Sequence, residues 1–213
     1  MSLSEFANYF VALLVITNPL SALPAILRIT HHQTHLQKKR TALVATISIG
    51  FILLLSTWVG TPLLAILGIG IPSFQIAGGL VLLMLAFSML NATVSPIKQT
   101  PEELKAQIDS DCGAIVPLAI PIIAGPGAIS TIIVTVNHYQ GIVNQLYLSL
   151  AAIFVTLVLG SVLYFSSVLE KIIGKQGINI FNRIGGLILA SIAIQSLASG
   201  ALALFPSWGP HKL

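Results

Sequence analysis

The chain has 213 residues, of which 55 % are hydrophobic and only 8 % charged, with a formal net charge of +4. Soluble domains carry about a quarter charged residues, so this chain lacks the polar surface of a water-facing globule, and a mean hydropathy of +0.96 places it in a bilayer. So few cations cannot build a nucleic-acid face, and the basic excess reads instead as membrane topology.

Six apolar segments follow one another, at roughly 6–27, 42–59, 73–93, 114–136, 146–168 and 184–205. Each can cross a hydrocarbon core of about 30 Å as a helix, and helix is required where no water satisfies the backbone. The first residues carry Glu5 and no Lys or Arg, so a retained helix is expected rather than a cleaved signal.

The first segment is interrupted by Asn18-Pro19-Leu20 and again by Pro24. Behind it lie Arg28, Lys38, Lys39 and Arg40, together with His31, His32 and His35. No carboxylate or cysteine accompanies these histidines, so they read as a solvated or headgroup-facing cluster rather than a metal site. The glycine pairs Gly78-Gly79 and Gly185-Gly186 are expected where helices pack closely. Ser88 and Gln195 are polar mid-span residues, suited equally to interhelical hydrogen bonding and to ligand contact.

Between the third and fourth segments, residues 95–113 form the one substantial polar stretch. There Thr100-Pro101-Glu102-Glu103 reads as an N-cap, a first-turn proline and a capping-box glutamate. A short surface helix through about Gln107 is expected from that signal. Cys112 is the single cysteine, which leaves no intramolecular disulfide and no multi-cysteine metal site. The fourth segment is broken by Pro117, Pro121 and Gly125-Pro126-Gly127.

Nine of the ten Lys and Arg fall in the first, third and fifth loops, and only Lys212 lies on the other side. These loops are therefore expected in the cytoplasm, with both termini periplasmic. The two halves also match at a constant offset of 107 residues: Pro19 with Pro126, Gly70-Ile71 with Gly177-Ile178, Phe74 with Phe181, Gly78-Gly79-Leu80 with Gly185-Gly186-Leu187, and Leu90 with Leu197. Three spans per half is an odd number, so the second copy enters from the opposite side, as an inverted repeat. Charge agrees with that inversion. Leu63 to Ile76 is uncharged while its counterpart holds Lys171, Lys175 and Arg183, and the basic stretch from Arg28 matches a stretch from Thr135 without Lys or Arg.

Proline removes an amide donor and frees carbonyls, a cost sustained in lipid only where the break is buried or lines a polar cavity. The substrate site is therefore expected at Thr17, Asn18, Pro19, Leu20 and Ser21 from one break, and Ala124, Gly125, Pro126, Gly127, Ser130 and Thr131 from the other, with Gln195 as a further contact. Half-helix N-termini would meet a carboxylate, and unwound carbonyls an ammonium or cation. With no Asp, Glu, Lys or Arg deep in any span, a neutral or zwitterionic substrate is favoured. Ion-channel charge rings and membrane-hydrolase motifs are absent.

With these residues in place, the chain resembles the MarC/SnatA family over essentially its whole length. The resemblance is carried by Asn18-Pro19-Leu20, Phe74-Gln75-Ile76-Ala77-Gly78-Gly79, Val116-Pro117-Leu118-Ala119-Ile120-Pro121, Ala124-Gly125-Pro126-Gly127, and Gly177-Ile178-Asn179 followed by Arg183 and Gly185-Gly186-Leu187. It implies a six-span inner-membrane protein and transport of small neutral amino acids such as glycine or alanine.

The expected protein is thus an all-α integral membrane protein of six transmembrane helices, arranged as two inverted three-helix repeats with broken first and fourth helices. Its parts are 1–94, a cytoplasmic linker 95–113, and 114–213. Its expected role is secondary transport in the bacterial inner membrane, not enzymatic catalysis, with no cofactor or metal and with the coupling ion unspecified. Its partners are the lipid bilayer and a small zwitterion; nucleic acid is excluded and a homo-oligomer is left open. The alternative is a non-transporting membrane scaffold or regulator acting through the cytoplasmic loop.

Overall fold

A computed structural model describes residues 1–23, 26–27, 30, 33–91 and 125–208, without the side chains of Ser21, His35, Lys175 and Trp208. The linker helix near Gln107, Cys112, Pro24, Pro117, Pro121, Ala124, His31 and His32 therefore lie outside the described residues, as does the whole 95–113 linker. Among the described residues every regular element is helical.

Helix α1 (Leu3–Thr17) opens with a capping box: the Ser2 amide donates to the Glu5 carboxylate and the Glu5 amide to the Ser2 hydroxyl. It buries Tyr9, Leu13, Ile16 and Thr17, one helical stripe. It ends at Asn18, whose φ of 41° is the only positive value among described non-glycine residues. Pro19 disfavours helix in the residue before it, and asparagine is one of the few side chains that tolerate the left-handed region. A short 3₁₀ turn, Pro19–Ala22, follows. The first break stands where the sequence put it.

Helix α2 (His35–Ile66) begins at a Thr34–Gln37 capping box and continues through Pro62. It is longer than the apolar segment 42–59 because the cap sets its start inside the polar loop. Helix α3 (Ile71–Leu90) follows Gly70, with Pro72 in its first turn. Helix α4 (Pro126–His138) starts directly after Gly125, and α5 (Ile142–Tyr164) starts after Gly141. The fifth helix therefore lies a turn earlier than 146–168. Helix α6 (Ser166–Leu204) is kinked at Gly174, where φ is 66°. Four helices are long and apolar enough to span a membrane: Leu36–Ile66, Ile71–Leu90, Ile142–Tyr164 and Gln176–Leu204.

The long helices pair antiparallel, α2 with α5 and α3 with α6. In the first pair, a Cβ on Gly50 would lie 2.9 Å from the Thr156 methyl, and one on Gly160 would lie 2.6 Å from the Thr46 methyl. Each threonine hydroxyl donates to its own helix, at Ala42 O and Ala152 O. The methyl groups are thus left to pack on the facing glycines. Ala42, Ala45, Ile49 and Leu53 of α2 and Ala152, Val155, Leu159 and Leu163 of α5 are all buried along this seam. In the second pair, Gly79 faces Leu197 and the Ala193 carbonyl, while Gly186 faces Leu90 and the Ala86 carbonyl. Small residues that let backbones approach are what hold helices together where lipid offers no hydrophobic contrast.

The two ends of the bundle differ in charge. Lys39 Nζ lies 4.9 Å from the centre of the Tyr164 ring, which puts the basic start of α2 beside the end of α5. At the opposite end Phe6 meets Tyr147 edge-to-face at 6.5 Å, Gln145 donates to Thr57 O at 2.8 Å, and Trp58 Nε1 donates to Ser149 Oγ at 3.1 Å. Residues 1–9, 56–72 and 136–149, which form that end, contain no Lys or Arg.

Candidate functional site

The first break is built from the end of α1. The Asn18 amide still donates to Leu14 O, at 3.0 Å, but the left-handed turn then throws the chain out of the helix. The Asn18 carboxamide Nδ2 lies 3.5 Å from Asn182 Oδ1 on α6 and 3.6 Å from Met89 Sδ on α3. Asn18, Pro19 and Leu20 are half-buried. Thr17 is fully buried and donates to Leu13 O and Leu14 O. Its hydroxyl is therefore committed to its own helix.

The second break is built from the start of α4. The Gly125 carbonyl accepts from Ala128 N and Ile129 N, at 3.0 and 3.3 Å. Gly125 offers no side-chain cap and Pro126 no amide, so Gly127 carries the helix's first N–H. Pro126 is exposed and Gly127 buried. A Cβ on Gly127 would lie 2.5 Å from Leu82 and 3.9 Å from Ile16. Ser130 is buried against Gly78, and leaves no room there for a Cβ. Thr131 donates to Gly127 O at 2.9 Å.

The structure thus sets the end of α1 and the start of α4 against the same helix, α3. Ile16, two residues before Asn18, reaches Gly127, and α3 serves both: Gly78 and Leu82 at the second break, Met89 at the first. Gln195 is not brought to them. It is exposed on α6, whereas its counterpart Ser88 on α3 is buried. The glycine pairs do sit at close helix contacts, as expected; at Gly185 the contact is the Met89 methyl, 3.1 Å from where a Cβ would stand.

Asn182, Met89, Leu82 and Gly185 were not among the expected site residues. For Asn182 a signal existed: it stands 107 residues after Gln75, a polar pair on the repeat's own offset. Met89 and Leu82 carried none, because one apolar residue on an all-apolar helix looks like another.

Described residues that are helical in every regular element, with four helices long and apolar enough to span and with close glycine seams, make a multi-pass integral membrane protein. The MarC family model, described as MarC family integral membrane protein, matches residues 3–205, and the chain belongs to that family. It is 37 % identical to a UPF0056 membrane protein of Buchnera aphidicola strain APS, covering 96 % of this chain and 95 % of that one. It is similar to the Escherichia coli membrane protein YhcE, at 31 % identity over 94 % of each chain. A Methanocaldococcus jannaschii UPF0056 membrane protein is 33 % identical over 97 % of this chain and 91 % of its own. These names state no activity. No solved structure matches the chain.

Proposed function

We propose that this protein is a secondary transporter of small neutral amino acids, a carrier rather than an enzyme. It is built as two inverted three-helix repeats, 1–94 and 114–213, with both termini outside the bacterial inner membrane. The substrate site lies where the broken helices meet α3 and α6.

The observation that carries this reading is the reciprocity of the helix contacts. Gly79 meets Leu197 and Ala193, and Gly186 meets Leu90 and Ala86; each partner pair is separated by 107 residues. Between α2 and α5 the same holds at 110, for Thr46 with Thr156 and Gly50 with Gly160. The buried positions Ala42, Ala45, Ile49 and Leu53 recur at 110 as Ala152, Val155, Leu159 and Leu163. Contacts of the form i to j′ and i′ to j are the signature of a two-fold relation. Antiparallel pairing of equivalent helices is what an axis in the membrane plane requires. The charged end at Lys39 and Tyr164, opposite an end free of Lys and Arg, supports the orientation.

The two equivalent glycines meet different partners: a Cβ on Gly78 would strike Ser130, and one on Gly185 would lie 3.1 Å from the Met89 methyl and 4.0 Å from Asn18 Nδ2. The Asn18 and Asn182 carboxamides meet one another beside Gly185, and the carboxamide group is chemically suited to a zwitterion because it carries both donors and an acceptor.

The test is counterflow in proteoliposomes with labelled glycine, alanine and a wider amino-acid panel, with and without Na⁺ and proton gradients. Trans-stimulated exchange of the small neutral amino acids is expected. Absence of exchange for every amino acid in the panel overturns the reading.

A further inference from the structure

We infer that the corner where α5 turns into α6, together with the start of α2, binds the headgroup of an anionic phospholipid. This surface does not depend on the transporter reading.

The corner stands at one end of two spanning helices. The span of α5 ends at Tyr164, and the span on α6 begins only at Gln176. Between them α6 opens with a helical stretch, 166–173, which a kink at Gly174 (φ 66°, ψ 169°) separates from the span that follows. Phe165, Val168 and Ile172 are 55 %, 54 % and 77 % exposed. Their spacing of three and four residues puts them on one face, whereas Ser166 is buried. A short helix outside the spans, with an exposed apolar face beside charged residues, lies in the membrane interface.

Charge decides which lipid fits. Lys38, Lys39 and Arg40 stand in the first turns of α2, and Lys171 stands beside Ile172. Glu170 is the one carboxylate between residues 33 and 41 and between 164 and 173. Lys39, Arg40 and Lys171 are exposed, and among the described residues none of the four cations makes an ion pair. Lys39 Nζ lies instead 4.9 Å from the centre of the Tyr164 ring, and that ring meets Phe165 edge-to-face at 5.1 Å. An aromatic face attracts an ammonium without neutralising it, so the cation is held at an apolar corner with its charge unmatched. A lipid whose acyl chains cover Phe165, Val168 and Ile172 brings its phosphate to that cation. A zwitterionic headgroup carries its own ammonium and gains little from a corner with a cationic excess. A soluble acidic partner would match the charge and leave the apolar face uncovered.

The test is equilibrium binding of labelled phosphatidylglycerol and labelled phosphatidylcholine, matched in their acyl chains, to the detergent-solubilised protein. The wild type should bind phosphatidylglycerol about tenfold or more tightly than phosphatidylcholine. Lys39→Gln and Lys171→Gln should each weaken phosphatidylglycerol by about fivefold, the worth of one cation near an anionic membrane surface, and leave phosphatidylcholine unchanged. Ile172→Ser should weaken both lipids by similar factors. Raising salt from about 0.1 M to about 0.5 M should remove most of the preference by screening. Equal binding of the two lipids by the wild type overturns the inference, as does a preference that neither lysine variant reduces. Displacement of the lipid by millimolar inorganic phosphate overturns it too, since the site would then take free phosphate. Should one lysine variant fail to fold, the other decides, and the salt series on the wild type needs no variant: a preference undiminished at about 0.5 M refutes the charge argument.

Discussion

Replacing Gly79 by valine should loosen the α3–α6 seam by an amount that can be worked out from the packing. A first carbon at this position already lies 2.9 Å from Leu197 Cγ and 3.2 Å from the Ala193 carbonyl, well inside ordinary contact, and valine adds two methyls beyond it. Over-packing of this kind costs about 1–3 kcal/mol. The helix-propensity gain from glycine to valine is only about 0.3 kcal/mol, so a net loss of about 2 kcal/mol is expected. Removing the obstructing leucine at the same time should restore part of it, with a coupling energy of about 1–2 kcal/mol in the Gly79→Val, Leu197→Ala cycle. The two-fold relation makes a second demand. Gly186→Val should cost a similar amount, and Leu90→Ala should relieve it similarly, because Gly186 meets Leu90 as Gly79 meets Leu197. Reversible unfolding in mixed detergent micelles measures the wild type and all six variants. If Gly79→Val is rescued by Leu197→Ala and Gly186→Val gains nothing from Leu90→Ala, the reciprocal packing argument is wrong.

Two substitutions at Asn18 separate its backbone role from its side-chain role. Asn18→Gly keeps the left-handed turn and removes the carboxamide, whereas Asn18→Ala also strains the turn, by about 1 kcal/mol. Amino-acid exchange should be lost in both, with a lower melting temperature in the alanine variant only; full exchange by Asn18→Gly would remove the carboxamide from the site. The hydrogen bond from Trp58 to Ser149 joins α2 to α5. A Trp58→Phe, Ser149→Ala cycle should return about 0.6 kcal/mol, the usual worth of an interhelical bond in a membrane, and a value near zero would mean that it does not hold the helices. Phe6 and Tyr147 meet edge-to-face at the end of the bundle that lacks Lys and Arg. On a Cys112→Ser background, Tyr147→Ala should speed the labelling of a cysteine placed at the partly buried Thr131 by a reagent added from outside. No change in that rate would separate this ring pair from opening of the outer side.

The chain's sequence carried its membrane character and its break points openly, for a local physical reason. An apolar run long enough to cross a bilayer must be helical, and proline disfavours helix in the residues before it, although α2 runs on through Pro62. The break at Asn18 and the start of α4 at Gly125 were legible on those grounds alone. The two glycine pairs marked contact seams because only packing or a ligand repays a glycine in a helix. The capping boxes at Ser2 and Thr34 were missed as boundaries. Attention to the apolar run hid them, which is why α2 starts earlier than hydropathy suggests.

Residue identity alone could not say which way each side chain turns. Thr17 was a reasonable ligand for the substrate until its hydroxyl proved to be bonded to Leu13 and Leu14. Gln195 was as reasonable until α6 turned it outward. A soluble helix announces its buried face by alternating polar and apolar residues. In these spans lipid and protein core are both apolar, so the sequence holds no comparable record of rotation about the helix axis. That rotation is set by contacts between residues more than 70 positions apart, such as Asn18 with Met89 and Asn18 with Asn182. The sequence therefore determined that this protein crosses a membrane, that α1 ends at Asn18 and that α4 begins after Gly125. Only the tertiary structure decided which side chains meet at those breaks, because helix rotation is fixed by distant packing and by nothing local.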